Sequence, residues 1–241
     1  METRTALVTG AAQGLGQEFA VALAGRGYRV AGLDLVAQPE TAERVLDYVE
    51  LIGDVTDEAQ IQRALDRLID QVGTLHVLVN NAGVYPARPF EETTIEEWRR
   101  IMRVNLDAPF LLTRAALPYL KAAGPGRIVN IVSAAVLTAP PTMVPYVASK
   151  MGLIGFTRSL AAALGPYDIT VNAIAPSMVR TATAERTVGA DGGFEHVRDR
   201  QVVPRTQEPS DLVSTLLYVV DEGSGFLTGQ TLNVSGGSAY L

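Results

Sequence analysis

Short runs of β-branched and apolar residues alternate along this chain with longer stretches in which apolar residues recur every three or four positions. The first run, residues 5–9 (TALVT), stops at a cluster of glycines. Residues 14–26 follow with Phe19, Leu23 and several alanines on one side, which predicts a helix. Further strands are predicted over 28–33, 48–52, 75–79, 127–132, 169–174 and 230–234. Helices are predicted over 57–72, 98–123, 146–164 and 210–220. The strands are short and apolar on both faces, as in a parallel sheet covered on both sides. Their alternation with helix-length crossovers implies right-handed βαβ units, hence a doubly wound α/β fold with helices on both faces. The least regular stretch, 176–209, holds glycines, prolines and five arginines, and a segment of that kind in a compact domain reads as a functional loop.

Composition narrows the function classes. The 241 residues allow one large domain or two small ones. There is no internal repeat and no linker-like shift, so a single domain over 1–241 is expected. The net charge of −6 argues against a nucleic-acid backbone as partner. The absence of cysteine removes disulfides, thiolate nucleophiles and Cys-type zinc sites. Only two histidines occur, His76 and His196, 120 positions apart, so no catalytic metal is expected. The N-terminus shows no secretory pattern, and the charge-free stretch 128–149 is broken by Pro140, Pro141 and Pro145. No membrane association and a cytoplasmic location are the expectation.

Gly10, Gly14 and Gly16 form G-x-x-x-G-x-G directly after the first strand. Glycine permits a tight turn and close approach of a ligand, and the next helix presents free N–H groups to a pyrophosphate. The same glycines could serve the turn alone, but this position in a βαβ series is where doubly wound sheets place a dinucleotide. Asp34 ends the second strand, 18 residues after Gly16, where a carboxylate can accept from both hydroxyls of an adenosine ribose and repel a 2′-phosphate. Neither Leu35 nor Gln13 offers the cation a 2′-phosphate needs, so NAD(H) is favoured over NADP(H). Asp54 could face an adenine or cap the helix beginning near Asp57.

Ser133 ends the fifth strand, Tyr146 lies thirteen residues later and Lys150 four beyond it. Tyr146 and Lys150 therefore share a helix face. An ammonium one turn away would lower a phenol pKa from about 10 toward a usable base. The serine hydroxyl can hydrogen-bond a substrate oxygen. A lone Y-x-x-x-K is common in ordinary helices; here its order after the glycine turn, Asp34 and Ser133 gives it weight.

Taken together, these motifs resemble the short-chain dehydrogenase/reductase family along the whole chain. The matching residues are Thr9 to Gly16, Asp54-Val55, Asn80-Asn81-Ala82-Gly83, Asn105, Ser133, Tyr146-Val147-Ala148-Ser149-Lys150 and Thr228-Gly229-Gln230. The resemblance implies a Rossmann-type seven-stranded sheet and a homotetramer. It implies that Ser133, Tyr146 and Lys150 are catalytic, with Asn105 supporting Lys150 through a water. Gly10, Gln13, Gly14, Leu15, Gly16, Asp34, Leu35, Asp54, Val55, Asn81, Ala82, Gly83, Pro176, Val179 and Thr181, together with Tyr146 and Lys150, would contact the cofactor. Two departures stand out: Pro176-Ser177 replaces the usual Pro-Gly, and Ser235-Gly236-Gly237 replaces Asp-Gly-Gly. Residues 81–86 and 175–183 are most similar to the NAD-dependent 1-phenylethanol dehydrogenase and pyridoxal 4-dehydrogenase branch.

Tyr85, Ala135, Met143, Ser177 and Met178 are the expected substrate walls, under a lid at about 177–208 hinged at Gly189, Gly192 and Gly193. The uncharged run 134–144 suits a small apolar or aryl substrate. The reading is an NAD(H)-dependent enzyme interconverting a secondary alcohol and a ketone. The alternatives are a 3-oxoacyl-thioester reductase and, much less favoured because all four catalytic residues are present, a non-catalytic nucleotide-binding protein.

Overall fold

The computed structural model describes residues 3–188 and 192–240, so Gly189 lies outside the described residues. Seven parallel strands form one sheet: β1 (Thr5–Thr9), β2 (Arg29–Asp34), β3 (Val49–Ile52), β4 (Val77–Asn80), β5 (Gly126–Ile131), β6 (Ile169–Pro176) and β7 (Thr231–Val234). Their order is β3-β2-β1-β4-β5-β6-β7. The chain winds outward from β1 to β3, then crosses back to lay β4 on the other side of β1. The strand order reverses between β1 and β4, so the crevice beyond their carboxyl ends is the expected ligand position.

Alternation along β1 shows why both faces must be covered. Leu7 packs with α3 (Glu58–Val72), α5 (Ala108–Ala122) and α7 (Val144–Leu164), while Ala6 and Val8 pack with α1 (Gly14–Gly25) and α10 (Ser210–Val220). The helix α3 forms as the periodicity predicts: Ile61, Ala64, Leu65 and Leu68 are buried, Asp57 caps its start by accepting from Gln60 N at 3.0 Å, and Gly73 at φ 78° ends it.

The long helix predicted over 98–123 begins earlier, at α4 (Ile95–Met102), because Thr94 accepts from Glu97 N at 3.2 Å. It is also interrupted. Residues Arg103–Asp107 make a π-turn that joins α4 to α5. Pro109 offers no N–H to the carbonyl four residues back, that of Asn105, which disturbs the α-helical ladder there. Four short helices had no clear pattern in the sequence: α2 (Pro39–Arg44), α6 (Ala135–Thr138) and, inside the stretch expected to be irregular, α8 (Ala182–Val188) with α9 (Gly193–Arg198).

Inside the apolar layers runs a chain of polar side chains. Asn80 Nδ2 donates to Asn130 Oδ1 at 2.8 Å and to Thr113 Oγ1 at 3.3 Å. Asn130 Nδ2 donates to Thr157 Oγ1 at 2.9 Å, and Thr157 Oγ1 donates to the carbonyl of Leu153 at 2.8 Å. This chain ties β4 and β5 to α5 and α7, directly below the ends of the strands that carry the candidate site. All its members are buried, so each bond replaces solvation the groups have lost. Asn130→Leu takes one partner from Asn80 and one from Thr157 at once. It should lower the unfolding free energy by about 2–4 kcal/mol in a denaturant titration; an unchanged midpoint would show that the chain is dispensable.

Candidate active site

The crevice at the β1/β4 reversal is one continuous cleft of about 1390 Å³. That exceeds the roughly 300–1,000 Å³ of an ordinary ligand pocket, leaving room for a dinucleotide and a second molecule. Every residue expected to contact a cofactor or substrate lines it, from Gly10, Gln13 and Leu15 through Leu35 and Val55 to Met143, Met178 and Val179. Asn105 does not line it; it lies behind the wall, fully buried.

At one end the glycine turn is drawn tight from several sides. A Cβ on Gly16 would lie 2.1 Å from the carbonyl oxygen of Gly10 and 2.6 Å from Asn81 Nδ2, so only glycine lets α1 start this close to β1. Asn81 Nδ2 donates to the carbonyl of Thr9 at 2.8 Å, fastening the β4 end to the turn. Thr41 of α2 donates to the carbonyl of Ala11 at 2.7 Å. The first turn of α1 has no side-chain cap and no acidic residue, which leaves its N–H groups for an anion. This cradle fits the pyrophosphate of a dinucleotide.

Asp34 has a task beyond the one sequence suggested. Its Oδ2 accepts from Ala12 N at 3.0 Å, so the carboxylate also braces the turn. It still lines the cleft, and the residues after it, Leu35 and Val36, are exposed and uncharged. The two roles left open for Asp54 now separate. Asp57 caps α3, whereas Asp54 accepts from Thr56 N at 2.8 Å and lines the cleft. Sequence reasoning missed Arg99 and Arg100 of α4 and Arg103 at the start of the π-turn, which line the same cleft; the 99/103 helical spacing was the available signal.

The opposite wall comes from the end of β5 and from α7. Tyr146 hydrogen-bonds Ser133, and its ring meets the edge of Tyr85 at 6.4 Å between centroids. Lys150 is buried one turn on, with Nζ donating to the carbonyl of Ile131 at 2.7 Å and 5.9 Å from the Tyr146 ring centroid. A Cβ on Gly83 would come within 3.5 Å of that Nζ. Asn105 fixes this wall from behind: Oδ1 accepts from Val84 N at 2.8 Å, and Nδ2 donates to the carbonyl of Val84 at 2.8 Å and to Ser149 Oγ at 3.1 Å. Asn105 is thereby tied to the backbone at Val84 and to Ser149, the residue next to Lys150 on α7.

The electrostatics correct one expectation. Burial pushes the Tyr146 phenol up to about 12, partly opposed by the bond from Ser133. Burial pulls the Lys150 ammonium down to about 8. The lowered phenol expected from the neighbouring ammonium is thus absent, because desolvation disfavours the charged form of both groups.

The segment 177–208 is pinned at its two ends by a residue sequence reasoning did not single out. Gln207 is buried; its Oε1 accepts from Ser177 N at 2.9 Å and its Nε2 donates to the carbonyl of Val234 at 2.7 Å. Nothing in the motif pattern marked it. Ser177 is not among the residues with positive φ, so serine fits where the family more often has glycine. Thr181 caps α8 through Ala184 N at 3.1 Å and packs against Gly14. No cluster of three or more metal-ligating side chains occurs among the described residues.

Known proteins resemble this chain in sequence and fold. A family model described as enoyl-(acyl carrier protein) reductase matches residues 10–239. The chain is 37% identical to trans-4-hydroxycyclohexanecarboxylate dehydrogenase of Sinomonas cyclohexanicum, over 97% of this chain and 92% of that one. It is 35% identical to the (2S)-[(R)-hydroxy(phenyl)methyl]succinyl-CoA dehydrogenase subunit of Thauera aromatica, over 100% of this chain and 98% of that one. The structure of 3-ketoacyl-(acyl-carrier-protein) reductase from Brucella melitensis, complexed with NADH, superposes with a TM-score of 0.93 at 28% identity, covering 99% of each chain. The chain belongs to the short-chain dehydrogenase/reductase family of oxidoreductases.

Proposed function

We propose that this protein is an NAD(H)-dependent oxidoreductase that interconverts a small, largely apolar secondary alcohol and its ketone. The observation that carries the reading is the shared wall of Ser133, Tyr146 and Lys150 in the cleft that also holds the glycine turn and Asp34. When bound, the dinucleotide supplies the hydride acceptor or donor. Ser133 donates a hydrogen bond to the substrate oxygen. Tyr146 takes the hydroxyl proton during oxidation and returns it during reduction. Lys150 would hold the ribose beside the nicotinamide, and Thr181 would meet the carboxamide. The segment at about 177–208 acts as a lid that excludes water, and the active species is a homotetramer.

The apolar lining from Tyr85, Ala135 and Met143 suits the aryl alcohols of the 1-phenylethanol dehydrogenase and pyridoxal 4-dehydrogenase branch. The relative from Thauera also acts, by its name, on a carbinol next to a phenyl ring. A docking surface for an acidic carrier protein would need several free cations on the lid, but Arg180, Arg198 and Arg205 are each paired with carboxylates of the chain itself, which leaves Arg186 and Arg200 as the lid arginines without one among the described residues.

Tyr146→Phe should reduce turnover of 1-phenylethanol by about 10²–10⁴-fold while dinucleotide binding persists. In the unaltered protein a phenol near 12 is protonated at neutral pH, ready to act as an acid. Ketone reduction is therefore favoured near neutrality, and alcohol oxidation, which needs phenolate, should climb as pH rises. Rate profiles in both directions from about pH 6 to about pH 10 check this; an oxidation rate that falls with pH contradicts the assignment. For the cofactor, Asp34→Asn keeps an oxygen for Ala12 N but removes the charge. The preference for NAD over NADP, read as the ratio of kcat/KM values, should fall by about tenfold with the thermal midpoint unchanged; an unaltered ratio places the discrimination elsewhere.

A further inference from the structure

The lid helix α9 and the turn after it present one stripe of side chains to the cleft. Gly193, His196, Val197 and Arg200 line it, at the i, i+3, i+4, i+7 spacing of a single helical face. Main-chain bonds from Asp199 N to the carbonyl of Glu195 at 2.9 Å, and from Arg200 N to that of Val197 at 3.1 Å, carry the helical turn as far as Arg200. The neighbouring acids Glu195 and Asp199 fall off this stripe and do not line the cleft.

The lid's other arginines are occupied within the chain. Arg180 faces Glu208 at 3.3 Å and Glu185 at 3.9 Å and lies over the Phe194 ring at 5.3 Å. Arg198 pairs with Asp199 at 2.9 Å, and Arg205 with Asp211 at 2.6 Å. Arg186 donates to Thr183 Oγ1 at 3.2 Å. Among the described residues, Arg200 has no carboxylate at ion-pair distance, and the His196 ring has no hydrogen-bond partner. The acids that do line the cleft belong to other elements: Asp34 and Asp54 at the ends of β2 and β3, and Glu96 on α4. The lid therefore offers the cleft a guanidinium and an imidazole with no carboxylate of the lid paired to either, facing a cleft whose substrate wall includes the apolar Ala135 and Met143.

We propose that the physiological substrate is a carboxylated secondary alcohol, or the matching oxo acid. Its carbinol sits at Tyr146, its apolar body lies along Ala135 and Met143, and its carboxylate is received by Arg200 with His196 as a second donor. A guanidinium grips a carboxylate through two parallel bonds, giving orientation as well as attraction. This rests on the oxidoreductase reading above and adds the substrate's charged end. Arg200 and His196 are specificity residues; the proton transfer does not involve them.

The test compares 1-phenylethanol, 4-(1-hydroxyethyl)benzoate and the methyl ester of the latter, which share one carbinol and differ in the charged end. The benzoate should have a kcat/KM at least about tenfold above both neutral alcohols. Arg200→Gln should raise its KM by about tenfold to a hundredfold, leave 1-phenylethanol unchanged, and be largely rescued by Arg200→Lys. Equal effects on all three substrates, or none, overturn the proposal while leaving the alcohol-oxidising reading intact. Calorimetric binding of 4-acetylbenzoate to the protein with NAD⁺ gives a readout independent of turnover. Binding that Arg200→Gln abolishes, without oxidation of any alcohol, sustains the anion site and sinks the reaction instead. Loss of acetoacetyl-coenzyme A binding in Arg200→Gln with the benzoate unaffected would assign Arg200 to a phosphate and overturn the carboxylate.

Discussion

The carboxamide of Asn105 spends all its hydrogen bonds on two other parts of the fold: both main-chain groups of Val84, in the loop after β4, and Ser149 on α7. Ser149 Oγ in turn donates to the carbonyl of Tyr146 at 2.7 Å. A residue with no solvent exposure thus sets the distance between the strand loop, the helix bearing Tyr146 and Lys150, and the π-turn in which it sits. A buried amide loses several kcal/mol if left unpaired, so these three elements have little freedom to separate. The π-turn is what swings this side chain inward, and Pro109 is the local reason the regular helix gives way.

The rest of the cleft depends on contacts of the same kind, made at strand ends where the parallel sheet leaves backbone groups unpaired. Asn81 bonds back to Thr9, Asp34 to Ala12, Lys150 to Ile131 and Gln207 to Ser177. Each is a side chain bonded to main chain at or just beyond the carboxyl end of a strand. The chemistry is therefore built into the rim of the sheet, and the apolar layers beneath supply only rigidity. It also explains the raised Tyr146 and lowered Lys150: groups held this firmly in a desolvated rim are kept neutral more easily than charged.

Much of this was legible in the amino-acid order. The apolar strands and the amphipathic α3 announce a covered parallel sheet, and the glycine spacing, Asp34, Ser133, Tyr146 and Lys150 fall at strand ends or one turn apart on a helix. What was not legible depends on tertiary contact. Gln207 looks like any loop glutamine until the segment that carries it folds back on β7. The second role of Asp34 needs the turn in place before Ala12 N can reach it. The α8 and α9 helices were hidden because glycines and mixed charges mask short helices, and the Tyr146 pKa was misjudged because a sequence shows the neighbouring ammonium but not the burial of both groups.

The central claim is that this cleft moves a hydride and a proton between one carbinol and one bound dinucleotide. The most direct measurement is oxidation of 1-phenylethanol carrying deuterium on the carbinol carbon, with the reduced dinucleotide analysed by mass spectrometry. The account predicts one deuterium per molecule of NADH formed and none in the solvent. Deuterium lost to water, or NADH formed without the label, would contradict it.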